Sequence, residues 1–364
     1  MDISLFIIFF MTALLLCKVF LFLANNYAIQ TGKDISNKAG LSVIASVILG
    51  WTLLQTATKA PSFPFKEFAL GLYPFLIGAL ALSMYSIKRG SLPRFWIYLF
   101  VCLLSVSFLP SDWSVFQGLL PVFFDRCITA LLWALFISIY ARMDKVENLT
   151  QTQTMVLCLS FSIFPALTAK IGRAYPSEFA YYPMIILAPL IAFIKDKRHF
   201  PELKLGKTGA VPLGYLMGLF FVFMAVKGFY MAALIMPLYY YFELVYSAIY
   251  RWWHRKNPQP VIFSFFLNKI VRTNLNTKGL MSRLFVFMLE FSLIGILFNY
   301  NIKKMLTWSS LLLLCSVYML SRTGVPKITY RSMFKDTKEA IGLLGLNLKD
   351  SCQTAADFWK SKKK

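Results

Sequence analysis

Apolar stretches, each about as long as a lipid bilayer is thick, alternate with short polar connections along most of this chain. Eleven such segments run near 2–24, 41–57, 67–86, 95–109, 122–141, 153–169, 180–194, 210–226, 228–250, 284–300 and 307–321. A helix needs about 20 apolar residues to cross the hydrocarbon. Backbone groups in lipid must be satisfied within each segment, which favours helices. A barrel would need ten-residue segments of alternating polarity, and the unbroken apolar runs lack that pattern. The expected fold is therefore all-α, a polytopic integral membrane helix bundle of about 11 (10–11) transmembrane helices. Only Asp2 precedes the first apolar run, with neither a basic leader nor a small-residue cleavage site. That segment is expected to be a retained helix.

Residues 1–321 read as one transmembrane domain with no evident internal repeat. Residues 322–364 open on Gly324-Val325-Pro326, carry Ile341, Leu344 and Leu348 at helical spacing, and end on Lys362-Lys363-Lys364. A basic cytoplasmic tail containing an amphipathic surface helix is expected there. Between spans, residues 251–283 mix Trp252, Trp253 and Phe263 with Arg251, Arg255, Lys256 and Lys269. Aromatic and cationic residues together favour the head-group layer.

Composition agrees: 58% of the 364 residues are hydrophobic and mean hydropathy is +0.62, far too apolar for a soluble domain. Charge adds orientation. With the N-terminus outside, the inner connections carry 29 of the 38 Lys and Arg residues and the outer ones carry 7. This asymmetry predicts an outside N-terminus and a cytoplasmic C-terminus. The formal charge of +22 is then mostly a property of one face, where it attracts anionic lipid head groups. Membrane lipids are expected partners; no soluble basic module offers itself to nucleic acid. The six cysteines show no paired spacing, and the histidines are His199 and His254 alone, which excludes most His-based metal sites. The sequon Asn148-Leu149-Thr150 falls in an inner connection and carries no weight.

The inner connections hold the candidate chemistry. The first of note is Leu205-Gly206-Lys207-Thr208-Gly209-Ala210-Val211-Pro212-Leu213-Gly214, at the entrance to the eighth apolar segment. Another is Ser86-Ile87-Lys88-Arg89-Gly90-Ser91-Leu92-Pro93, and a third is Asp144-Lys145-Val146-Glu147-Asn148-Leu149 after the fifth segment. Phe265-Phe266-Leu267-Asn268-Lys269 lies in the last inner connection, and Met236-Pro237-Leu238-Tyr239-Tyr240 lies in the ninth segment.

In order, spacing and topology these stretches resemble the inner loops of the polyprenyl-phosphate N-acetylhexosamine-1-phosphate transferases (glycosyltransferase family 4, phospho-MurNAc-pentapeptide transferase-like). The resemblance covers most of the chain at low identity. That family has L-G-D-x-G-S-x-x-L-G where this chain has a lysine, Lys207, in place of the aspartate. Ser86 and Ile87 stand in place of its acidic pair. Asp144 survives from its N-x-x-N-x-x-D-G-x-D-G-L run, with Glu147 in the second acidic place. Phe265 to Asn268 stand where the family has H-x-H-H, and the aspartate of its P-L-F-D is lost.

The resemblance implies a bacterial inner-membrane protein of lipid-linked envelope glycan assembly. Family members use Mg²⁺, held by carboxylates, to bridge the pyrophosphate of a nucleotide sugar while a lipid phosphate attacks. Mg²⁺ demands hard oxygen ligands in octahedral array, and those ligands are largely replaced here. An ammonium at Lys207 would also repel the ion at short range. A lysine does neutralise phosphate by itself as a point charge. The resemblance therefore predicts a divergent, non-catalytic relative that holds a polyprenyl phosphate or similar anionic lipid, with no metal. Lys88, Arg89, Lys197, Arg198, Gly206, Lys207, Gly209 and Lys269 are its expected phosphate and lipid contacts. Asp144 and Glu147 are the expected remnant of the catalytic acids. Other glycan-assembly proteins or a second copy of the chain are expected partners.

Other readings stand beside this one. An active sugar-1-phosphate transferase with an altered site is one; a transporter or flippase of a lipid-linked sugar or small solute is another. The latter would pair buried charges such as Lys18, Lys227, Glu243 and Glu290. Gly206, Gly209 and Gly214 also suit plain close helix packing. Asp144 and Glu147 also suit a solvated helix end.

Overall fold

A computed structural model describes residues 3–31, 36–58, 73–86, 91–109, 114–116, 118–144, 149–169, 177–200, 203–238, 240–241 and 294. All of them belong to the first of two compact units, Met1–Ser310; the second is Leu311–Lys364. The described residues form helices and turns, with no strand among them. In chain order the helices are α1 (Ile3–Thr31), α2 (Ser36–Thr58), α3 (Tyr73–Ser86), α4 (Ser91–Ser107), α5 (Val122–Met143) and α6 (Leu149–Ala169). After a 3₁₀ turn at Ser177–Ala180 come α7 (Tyr181–His199), α8 (Gly206–Val226) and the short α9 (Tyr230–Ile235).

Helices α1 to α8 overlap the first eight apolar segments. Among the described residues four stretches are long and apolar enough to cross a membrane: Ile7–Asn26, Ala39–Thr56, Val122–Met143 and Gly206–Val226. Phe75–Met84 and Pro93–Ser107 are shorter apolar helices. Of the ninth segment only the part up to Tyr241 is described. Save for Ile294, the tenth and eleventh segments and the basic tail lie outside the described residues.

α8 is the axis of the bundle. It is 94% buried against 22% for the span within α1, and it packs on α2, α3, α5, α6 and α9. A helix apolar on every side belongs in the interior, and beyond Lys207 in its first turn α8 carries no charge. α1 instead lies at the edge against α2 and α7, with Ile7, Met11, Leu15 and Phe22 exposed. In water such a stripe would be a liability; against lipid chains it is the expected surface.

Small residues let α8 come close to its neighbours. A Cβ on Gly40 of α2 would overlap the Leu205 carbonyl oxygen and come within 2.7 Å of the Gly209 nitrogen. Farther along, a Cβ on Gly214 would lie 3.2 Å from the Tyr140 side chain, and one on Gly218 would overlap the Trp133 indole. Trp133 stacks on Tyr215, with ring centroids 4.8 Å apart, and donates to the Tyr215 carbonyl at 3.1 Å. Tyr215 in turn shares a 2.7 Å hydrogen bond with Ser105 of α4. The prolines inside α6, α7 and α8 (Pro165, Pro189, Pro212) each remove a backbone donor. The carbonyl of Pro189 is used by another helix, accepting from the Cys17 thiol at 3.5 Å.

Two charged residues fasten the α4–α5 connection. Asp125, in the first turn of α5, is buried and accepts from the backbone N–H groups of Phe116 (2.9 Å) and Val115 (3.2 Å). A carboxylate suits the positive end of a helix. Next to it Arg126 donates to the Leu109 carbonyl at 3.0 Å.

Candidate functional site

Among the described residues, the N-terminal turns of α2 and α8 and the C-terminal ends of α5 and α7 meet at one end of the bundle. Gly206 begins α8 with φ +62°, a left-handed conformation that glycine adopts without steric cost. This conformation turns the chain from Leu203-Lys204-Leu205 into the helix, where Leu203 and Leu205 are buried and Lys204 is exposed. Gly209, within the first turn, lies where Gly40 of α2 crosses.

Asp144 terminates α5, and its own N–H bonds the Arg142 carbonyl. Its carboxylate accepts the backbone N–H of Gly206 and lies in the field of Lys197, near the end of α7. Burial pushes the Asp144 carboxyl up to about 6; Lys197 and the Gly206 hydrogen bond pull the other way. Asp144 at the end of α5 and Lys197 and Gly206 at the two ends of the short α7–α8 connection thus form one small polar corner. Lys207 follows on the exposed side of the same turn.

Of the residues expected to hold phosphate or lipid, the corner brings together Lys197, Gly206, Lys207 and Gly209, with Asp144. Gly209 and Gly214 also do what close packing requires, against Gly40 and Tyr140 respectively. Arg198 lies in α7, but its side chain is outside the described residues. So are Lys88, Arg89, Glu147 and Lys269. Of the charges weighed for a transporter, Lys18 is half-buried in α1. Lys227 caps α8, with its ammonium 5.7 Å from the Phe223 ring centroid. Glu243 and Glu290 are outside the described residues.

A Mg²⁺ ion needs several oxygen ligands in octahedral array. The donor set around Asp144 does not fit that requirement. Its described surroundings include the Lys197 ammonium and the Gly206 N–H, both of which seek an anion. Among the described residues, no group of three or more His, Cys, Asp and Glu side chains is placed to share a cation.

A second polar feature lies just beyond this end of α5. Thr150, Gln151, Gln153 and Thr154 are all buried in the first turns of α6. Tyr140 of α5 hydrogen-bonds Thr154, which donates to the Thr150 carbonyl at 2.6 Å. Thr150 Oγ1, Gln151 Oε1 and Gln153 Oε1 are buried without a hydrogen-bond partner. Residues 150–152 lie outside the apolar segment at 153–169, and the polar run Thr150-Gln151-Thr152-Gln153-Thr154 hides the start of α6 from hydropathy.

Comparison of the chain with protein-family models and with curated proteins finds no match.

Proposed function

We propose that this protein binds the phosphate of an anionic lipid, a polyprenyl phosphate or one of like chemistry, at the end of the bundle where α5, α7 and α8 meet. In this reading it is a divergent, non-catalytic relative of the polyprenyl-phosphate sugar-1-phosphate transferases, with about eleven spans. It acts in lipid-linked envelope glycan assembly at a bacterial inner membrane, with its N-terminus outside and the phosphate corner on the cytoplasmic side. Other glycan-assembly proteins or a second copy are its partners.

The observation that carries the reading is the corner itself. The Gly206 N–H and the Lys197 ammonium, from the two ends of the short α7–α8 connection, both act on one oxyanion, the carboxylate of Asp144. Charge-assisted donors of this kind also hold phosphate oxygens. Lys207 in the same turn adds a cation, and the N-terminal end of a helix favours negative charge. The replacement of family acids by Ser86, Ile87 and Lys207 supports retention of binding without metal-dependent transfer.

The test is binding of undecaprenyl phosphate to the full chain in neutral-lipid nanodiscs. Wild type should bind it over phosphatidylcholine, and Lys197→Ala and Lys207→Ala should each weaken binding several-fold. Equal affinity in all three proteins would end the proposal.

A further inference from the structure

A cavity of about 440 Å³ lies along the C-terminal half of α8, between α5, α9 and the connection from α4 to α5. Trp133 and Phe136 of α5, Phe221 and Val222 of α8, and Leu234 of α9 are among its walls. The room comes from small side chains, for Gly218, Ala225 and Ala233 line it where larger residues would fill it. Val115 and Phe116 of the connection form a further wall, and the buried Asp125 carboxylate holds both by their backbone N–H groups. The lining residues Leu132 and Leu234 are 42% and 57% exposed, so the cavity opens on the flank of the bundle.

We propose that this cavity holds one acyl chain of a membrane phospholipid. Two of its walls, α5 and α8, are apolar and long enough to cross a bilayer, so hydrocarbon is the medium at its mouth. Among the described lining residues none is charged, and Thr129, Trp133, Tyr230 and Tyr241 alone carry a polar side-chain atom. Trp133 commits its N–H to the Tyr215 carbonyl, and Thr129 turns its hydroxyl to Asp125. That leaves two tyrosine hydroxyls, too few to orient a polar ligand, whose unmet groups would carry a desolvation cost. A hydrocarbon chain brings no such groups. Passing from bilayer to cavity gives that chain no hydrophobic gain, since both are apolar. Dispersion supplies the attraction, because aromatic walls without neighbouring atoms lose those contacts outright. The volume also falls in the range of about 300–1,000 Å³ that holds small ligands. The inference is independent of the phosphate reading, whose residues gather at the other end of α8.

The experiment uses the full chain in nanodiscs of phosphatidylcholine, a fraction of which carries a photoactivatable diazirine on one acyl chain. Irradiation is followed by mass-spectrometric mapping of the labelled positions. The exposed residues Ile7, Met11 and Leu15 of α1 report ordinary contact with lipid. Phe221, Val222 and Ala225 are at most 8% exposed, so label there reports a chain inside the cavity. Wild type should take up label at Phe221 to Ala225 to a level comparable with α1. Ala225→Leu and Ala233→Leu, which fill the cavity from two helices, should each lower the α8 label several-fold and leave α1 unchanged. Ala225→Val and Ala233→Val are smaller additions that should lower it less, and they decide the matter where a leucine prevents folding. An unlabelled α8 beside a labelled α1 in wild type would mean that protein, such as another segment or a second copy, fills the cavity, and would overturn the proposal. Label on α8 that is undiminished in the folded filling variants would place the chain outside the cavity and overturn it equally.

Discussion

Gly40 lies outside every motif singled out in the sequence, yet in the structure it is where α2 approaches the head of α8 closely enough to exclude a side chain. A methyl group added there would overlap the Leu205 carbonyl oxygen and lie 2.7 Å from the Gly209 nitrogen and 2.8 Å from Thr208 Oγ1. Two of those atoms are backbone, so no side-chain rotation relieves the clash. The N-terminal turns of α2 and α8 would have to separate to restore ordinary contact. Overpacking of this kind costs about 1–3 kcal/mol, and the separation would loosen the contacts of buried Leu205 and Thr208 as well. Gly40→Ala should therefore lower the thermal midpoint of the detergent-purified protein by several degrees. Because Leu205 immediately precedes Gly206, the same change should weaken phosphate-lipid binding beyond the stability loss alone. Gly78→Ala is the control, since a Cβ there meets nothing within 4 Å. Equal midpoints for the Gly40 and Gly78 variants would refute the close α2–α8 approach.

Asp125→Ala should destabilise the protein by about 3 kcal/mol, because it strips charged acceptors from two backbone N–H groups, as thermal unfolding would show; an unchanged midpoint would contradict this. The pH dependence of stability should carry the signature of Asp144, which titrates near 6 in the fold against 3.8 in the unfolded chain. A raised acid pKa means that the folded state holds the proton more tightly. Its contribution is thus complete below about pH 4 and lost as pH rises through about 6. At its fullest it is about 3 kcal/mol, and a titration of stability in wild type and Asp144→Asn should show it in wild type alone. A reporter fused after Lys364 should be cytoplasmic, given that 29 of 38 Lys and Arg fall in the inner connections; a periplasmic signal would reverse the orientation.

The helical part of the fold was legible because the apolar segments are long and their ends charged. Hydropathy located the eight described helices α1 to α8 but not their order of burial. The span in α8 is no more apolar than the one in α1, yet it is 94% buried against 22%. That difference comes from Gly209, Gly214 and Gly218 meeting partners on α2 and α5, which a pattern of apolar residues does not encode. The start of α6 was read too late because Thr150 to Thr154 are polar. Polar residues in a buried first turn look like a loop to hydropathy. At the site, the likeness of inner loops names Asp144, Lys197 and Gly206, which the structure brings to one end of the bundle. It did not foresee that Asp144 would be bound to Gly206 itself, since that pairing depends on the left-handed turn at the head of α8. Asp125 went unremarked because an acid at the edge of an apolar segment resembles an ordinary helix end until its Val115 and Phe116 partners are seen.

The central claim is phosphate binding without metal-dependent transfer, and a paired measurement on one preparation tests it most directly. Purified protein in nanodiscs containing undecaprenyl phosphate is incubated with radiolabelled UDP-N-acetylhexosamine and Mg²⁺, while lipid binding is followed with and without EDTA. The account predicts binding that is indifferent to EDTA, weakened by raised salt and by Lys207→Ala, with no sugar phosphate transferred to the lipid. Robust transfer that disappears with EDTA and with Asp144→Asn would contradict it.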